Sequence, residues 1–231
     1  MRRLVRPAGC SCRAGAVCCG KVTRGLRSGW ACAGRAGRSG WIVSRGRALN
    51  SLQGHLLVAA VDLRDPNFFH TVVLLIRHDE NGAFGVVLNR PSNTRLKEVW
   101  SKISKSLCAT NELLYVGGPV QGPLLALHCN AELSQLPVIP GVYLSTDSEE
   151  LELLAADAQQ RVKFFIGYAG WGAGQLEGEM EQGSWRTIEA TPDLVFEGDE
   201  ALWFRVTRQI NDALLVKHLR IKHVPEAPWL N

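Results

Sequence analysis

Acidic residues are absent from the first 48 positions, which carry ten arginines and one lysine. The residues that follow reverse the balance, with 15 bases against 22 acids. The formal charge of +4 therefore describes an N-terminal arm and not the body. An acidic body is a poor non-specific binder of polyanions, because phosphate affinity rests on clustered Lys and Arg, so direct nucleic-acid binding is not expected. Cysteine is equally scarce in the body. Cys10, Cys12, Cys18, Cys19 and Cys32 lie in the arm, leaving only Cys108 and Cys129 beyond it. Two thiols make no disulfide framework, which points to a reducing, cytoplasmic setting. No apolar run approaches the ~18 residues that cross a bilayer. The longest aliphatic run of the body, Val72–Ile76, suits a buried strand. A G-x-S-x-G elbow and a Walker loop are also missing, and spacing assembles no Cys-His or Ser-His-Asp set. No catalytic residue, metal or cofactor is assigned.

The arm, residues 1–48, is rich in Gly, Arg, Ala, Cys and Ser and has no helical or strand periodicity, so disorder is expected. It lacks the apolar h-region of ~7–15 residues that a secretory signal needs. A transit peptide would share its arginines and lack of acid but should be amphipathic. The remaining reading is translated upstream sequence, with the native start near Leu49. Its cysteines have no His or second C-x-x-C pair to complete a metal site. The expected organisation is this arm, a domain over 49–209, and a loosely attached tail over 210–231.

The body opens with a strand after Gly54. Asp62 to Asn67 form a turn in which Pro66 pushes Asp65 to extended geometry. His70–His78 is apolar on both faces, hence a central strand. Asn81-Gly82 is the dipeptide that hairpin turns prefer, and Ala83–Asn89 returns beside the first strand. Thr94 reads as the N-cap of an amphipathic helix holding Leu96, Val99, Trp100, Ile103 and Leu107. Strands follow at Leu113–Val116, Leu124–Cys129 and Val142–Leu144. A capping box at Thr146–Glu149 opens a helix with Leu151 and Leu154 inward. Arg161–Tyr168 leads into a glycine-rich stretch. Beyond it come strands at Trp185–Glu189 and Leu194–Phe196, then a helix holding Leu202, Trp203, Val206 and Ile210. Strands joined by a hairpin yet separated by helices predict an α+β domain with a large mixed β-sheet and peripheral helices.

The glycine-rich stretch, Phe164 to Trp185, reads FFIGYAGWGAGQLEGEMEQGSW. It predicts a short strand, a glycine loop carrying Trp171, and an acidic helix from Gln175. With His78 to Pro91 and the Gly117-Gly118-Pro119-Val120 turn, it resembles the signatures of the YqgE/AlgH family of bacterial proteins. Ala173 stands where that family usually has Pro. The resemblance covers roughly Ser51 to Gln209. It implies a large mixed sheet with peripheral helices, and it identifies a fold better than a reaction. The AlgH branch is associated with transcriptional control of alginate production, which implies a regulatory role.

Candidate binding residues are Asn89, Arg90, Gly117, Gly118, Tyr168, Trp171 and Gln175, three groups expected to converge in space. Glycines before a helix suggest phosphate cradling, but Glu177 in the first turn would repel a dianion. Trp171 is either the lid of a pocket or a core anchor. Arg90, ending a buried strand, should seek a carboxylate. His70 and His78 share a strand too far apart for one metal, and His128 and Cys129 face opposite sides of another. The aliphatic neighbours of Cys129 suggest an inert buried thiol. Glycine, amide and indole side chains shape a surface more readily than a reaction centre. The expectation is therefore a non-enzymatic regulatory or interaction protein with a protein or small-molecule partner. A regulator contacting nucleic acid directly and an enzyme on a small substrate are the alternatives.

Overall fold

The computed structural model describes residues 51–219. The expected disordered arm, 1–48, lies outside the described residues, as does the tail from 220 onward. Ten strands and five helices follow in chain order. The strands are β1 (His55–Ala59), β2 (Val72–Asp79), β3 (Gly82–Val87), β4 (Pro91–Arg95), β5 (Leu113–Val116), β6 (Val120–His128), β7 (Leu136–Ile139), β8 (Val142–Ser145), β9 (Val162–Gly172) and β10 (Trp185–Glu189). The helices are α1 (Leu96–Ile103), α2 (Ser148–Ala156), α3 (Gln175–Glu181), α4 (Pro192–Phe196) and α5 (Leu202–Leu219). All strands join one sheet, in the order β10-β1-β2-β3-β9-β6-β8-β7, with β4 on β5 and β5 on β9. Every pairing is antiparallel except β5 with β9. The mixed α+β sheet expected from the sequence is therefore present.

The β2–β3 hairpin is present, but its two turn residues are Glu80-Asn81; Gly82 opens β3 at φ of +129°, paired with Asp79. Asp79 Oδ1 accepts from the Asn81 N–H at 2.8 Å and steadies the turn. Val72 to Ile76 are fully buried, as befits a strand covered on both faces. On β9, neighbouring phenylalanines serve opposite sides of the sheet, because side chains alternate along a strand. Phe165 joins the larger core with Leu176 of α3, Val195 of α4, and Leu202, Trp203 and Val206 of α5. Phe164 joins a smaller core with Leu96 and Trp100 of α1 and Leu151, Leu154 and Ala155 of α2.

Several local expectations are corrected. Thr94 lies in β4, and Arg95 occupies the N-cap of α1 without a side-chain cap bond. That helix stops at Ile103, leaving Leu107 86% exposed. Asp147, not Thr146, caps α2; the Thr146 hydroxyl instead donates to Gln135 Oε1 at 2.7 Å. Leu194–Phe196 is helical, because Thr191 accepts from the Leu194 N–H and Pro192 takes the first turn, where its missing N–H costs nothing. Helix α5 runs through position 210 to Leu219, so the expected tail begins inside a continuous helix. His70 precedes β2 and adopts φ of +53°, so it shares no strand with His78. Cys129 follows the end of β6 and is exposed, not buried.

Candidate functional site

The expected glycine loop is mostly strand. β9 continues through Gly167, Gly170 and Gly172, and only Ala173-Gly174 separates it from α3. The first half of β9 pairs with β5 and β6; the second half, from Ala169, pairs with β3. Gly167 sits at the changeover with φ of +74°, a conformation an L side chain resists. The turn from β5 to β6 presses its own glycines onto this point. A Cβ on Gly117 would lie 2.3 Å from the Gly167 carbonyl oxygen, and one on Gly118 would lie 2.2 Å from the Tyr168 carbonyl carbon. Glycine is therefore required by backbone meeting backbone, and the density of glycine reports a crossing of chain segments.

Main-chain bonds complete the junction. Gly117 N–H donates to Ile166 O at 2.9 Å, Val87 N–H to Gly117 O at 2.8 Å, and Val116 N–H to Arg90 O at 2.9 Å. The backbones of the three residue groups thus converge, while their side chains go three ways. Asn89 is buried, accepting from Val72 N–H at 2.9 Å and donating to His70 O at 2.9 Å. Arg90 donates to Pro66 O at 3.1 Å and Phe69 O at 3.4 Å. It finds carbonyls where a carboxylate partner was expected, since the 65–71 loop folds back over the end of β3. Burial holds its guanidinium below its ordinary value, and the charge of nearby Asp65 opposes that. Together the pair clamp the loop that places His70 between the rings of Phe69 and Trp203, at centroid distances of 3.7 and 3.9 Å.

Trp171 and Gln175 belong to a separate cluster. Trp171 is 5% exposed, stacked on Phe68 at 5.8 Å and edge-on to Trp185 at 5.9 Å, so it is a core anchor and not a lid. Gln175 accepts from Gly172 N–H at 3.1 Å and donates to Glu179 at 2.9 Å, closing the turn into α3. Glu177 is likewise occupied, accepting from His78 Nε2 at 2.7 Å, while His78 Nδ1 accepts from Leu52 N–H at 2.9 Å. The hydrogen bond within its own residue comes first, ahead of His78, in holding the Glu177 carboxyl below its usual range.

Trp171 borders a shallow cavity of about 200 Å³ beside the β2–β3 turn, and the Gly117-Gly118 group borders a larger space. A groove of about 410 Å³ lies over the junction, bordered by Gly118 and Gly167. Val116, Val120 and Ile166 line it and are 43%, 38% and 49% exposed. Ser92, Tyr115 and Gln121 add two hydroxyls and an amide. Tyr168 flanks the junction from the far side of the strand, against Phe84 at 5.1 Å.

A second cleft, of about 450 Å³, was not foreseen. Its wall includes Lys163, which is 4% exposed and whose amine burial lowers to about 8. The signal was present in the sequence as a lone lysine set between Val162 and Phe164-Phe165-Ile166.

Fold and groove together define a mixed-sheet α+β domain with an apolar, glycine-floored groove. The AlgH-like family model (DUF179) matches residues 56–214. A UPF0301 protein of Chlorobium luteolum is 37% identical over 185 residues, covering 77% of this chain and 94% of the relative. Another, of Thioalkalivibrio sulfidiphilus, is 38% identical over 155 residues, covering 64% and 83%. The solution structure of the AlgH protein from Pseudomonas aeruginosa superposes with a TM-score of 0.61 at 30% identity, covering 79% of this chain and 100% of that one. The crystal structure of a Corynebacterium diphtheriae protein gives 0.53 at 26% identity, with 68% and 85% covered. This chain belongs to the AlgH-like family.

Proposed function

We propose that this chain is a non-enzymatic regulatory or interaction protein of the cytoplasm that binds a small molecule or a protein segment in the groove over the Gly117–Gly167 junction. One observation carries the reading: Val116, Val120 and Ile166 stay exposed around a floor of glycine backbone. Exposed aliphatic side chains grouped around a concavity mark a recognition surface more often than scattered ones do. The groove offers hydroxyls and amides for orientation, and apolar contact for affinity. Regulation through such a partner also suits a body with more acids than bases, which favours little direct attraction to nucleic acid.

The test is a metabolite and peptide library screened by thermal shift on the full chain, repeated on Ile166→Asp and Val120→Asp. A ligand present at about 100 times its Kd adds roughly 2.7 kcal/mol, which is a readable rise in melting temperature. Both variants should fold and lose the shift. Binding that survives both substitutions would move the site elsewhere. Turnover of a bound compound, silenced by one carboxylate, thiol or imidazole substitution in a folded protein, would replace the interaction reading with an enzymatic one.

A further inference from the structure

Lys163 is buried without a carboxylate partner among the described residues. It stands on β9 beside Phe164, almost wholly buried. An ammonium taken out of water needs a carboxylate to offset its desolvation. The ion pairs among the described residues do not include it. Its Nζ instead donates to the Gly198 carbonyl at 2.5 Å and lies 4.4 Å from the centre of the Tyr115 ring. Gly198 permits that approach, since even a Cβ there would come within 3.3 Å of the amine. The same side chain lines the cleft that Glu112, Tyr115, Gln160, Arg161 and Glu197 border.

A buried amine at a cleft wall can hold an anion or present a free base to an electrophile. Holding an anion requires surroundings that keep the charge. Here Glu112 and Glu197 border the same cleft, and Arg161 is already engaged by Asp193 at 3.3 Å and Glu197 at 3.8 Å. We propose that Lys163 is a covalent site whose amine condenses with a small polar aldehyde or ketone bound in this cleft. The nitrogen lone pair attacks the carbonyl carbon, and the C=O π electrons move to oxygen. A proton passes from nitrogen to that oxygen. Water then leaves with a second proton, and the product is an imine. Glu112 and Glu197 are the carboxyls placed at the cleft to carry those protons. No oxidant or reductant is needed. The site is independent of the groove over the glycine junction.

Burial dominates the lowered proton affinity of the amine. The charges of Glu112 and Asp199 oppose it, and that of Arg205 adds to it. Near neutral pH this leaves on the order of a hundredfold more free amine than an ordinary lysine offers.

The experiment treats the full chain with propanal and sodium cyanoborohydride at pH 7, to low conversion, and maps alkylated lysines by peptide mass spectrometry. Cyanoborohydride delivers hydride to the imine and fixes it as a secondary amine. Lys163 should be alkylated at least tenfold more than the exposed Lys97, Lys102 and Lys105. Its rate should level off above about pH 8, while theirs keep rising. The preference should vanish in urea. Equal or lower labelling of Lys163 in the native chain overturns the proposal, as does a labelling midpoint in the ordinary lysine range. Compared above about pH 9, where the Lys163 amine is free with or without the neighbouring charge, Glu112→Gln, a surface change, should slow the Lys163 adduct and leave the three exposed lysines unaffected; an unchanged or faster Lys163 rate, or equal slowing at all four, would remove the assigned role of that carboxyl.

Discussion

Replacing Glu179 with alanine would strip three donors of one acceptor group. Its Oε2 accepts from Trp171 Nε1 at 2.9 Å and from Trp185 Nε1 at 2.8 Å, and its Oε1 accepts from Gln175 Nε2 at 2.9 Å. Both indoles are nearly buried, at 5% and 4% exposure, and Phe68 packs against each. A buried donor left without a partner costs about 1–3 kcal/mol. Two such donors set a range of about 2–6 kcal/mol, and the partly exposed position of Glu179 lets water replace part of the loss. The expected destabilisation is therefore about 2–4 kcal/mol. Glu179→Gln keeps one oxygen able to accept from both indoles, but it sets an amide NH₂ against the NH₂ of Gln175. Its cost should be smaller, about 1 kcal/mol. Urea unfolding of the full chain, followed by tryptophan fluorescence and circular dichroism, measures both. If the two variants unfold within about 0.5 kcal/mol of the parent, the carboxylate is not what holds the two indoles, and the argument fails.

Two other substitutions test the backbone and the buried amine. Gly118→Ala places a Cβ 2.2 Å from main chain at a φ of +155° and should cost more than about 3 kcal/mol; Gly178→Ala in α3, with open space around it, should stabilise by about 0.5–1 kcal/mol, and paired urea melts read both. Lys163 has a folded-state pKa of about 8, below its unfolded value of about 10.5, so the unfolded chain binds more protons between those two pH values. Stability should then rise by about 3 kcal/mol on going from pH 8 to pH 10.5, against the background of the other groups. Lys163→Met should abolish that rise; an unchanged pH profile in the variant would show that the amine is solvated.

The sequence carried the elements whose cause is local. The β2–β3 hairpin, the buried Val72–Ile76 strand and the inward Leu151 and Leu154 each follow from turn chemistry or periodicity, and each is present, although the hairpin turns one residue earlier than its Asn-Gly pair suggests. The short apolar run Leu194–Phe196 suggests a strand, yet it is helical because the Thr191 cap and Pro192 open a helix just before it. The glycines of 167–174 illustrate the opposite case. By propensity they suggest a loop, yet most lie within β9, because a neighbouring turn crosses there and leaves no room for side chains. Trp171 and Gln175 looked like surface-shaping residues, but Glu179, eight and four positions further on, draws them into a cluster with Trp185. Lys163 is the clearest instance: its neighbours Tyr115 and Gly198 lie 48 and 35 positions away in the chain.

By itself the sequence determined the family and the sheet-and-helix class, because glycine spacing, hairpin dipeptides and apolar periodicity act over a few positions. Only the tertiary structure decided which of the candidate residues face open space, which are consumed in holding the backbone, and that one lysine stands buried outside every ion pair of the described residues. Exposure and desolvation depend on what packs against a side chain from distant parts of the chain, and no local pattern encodes that.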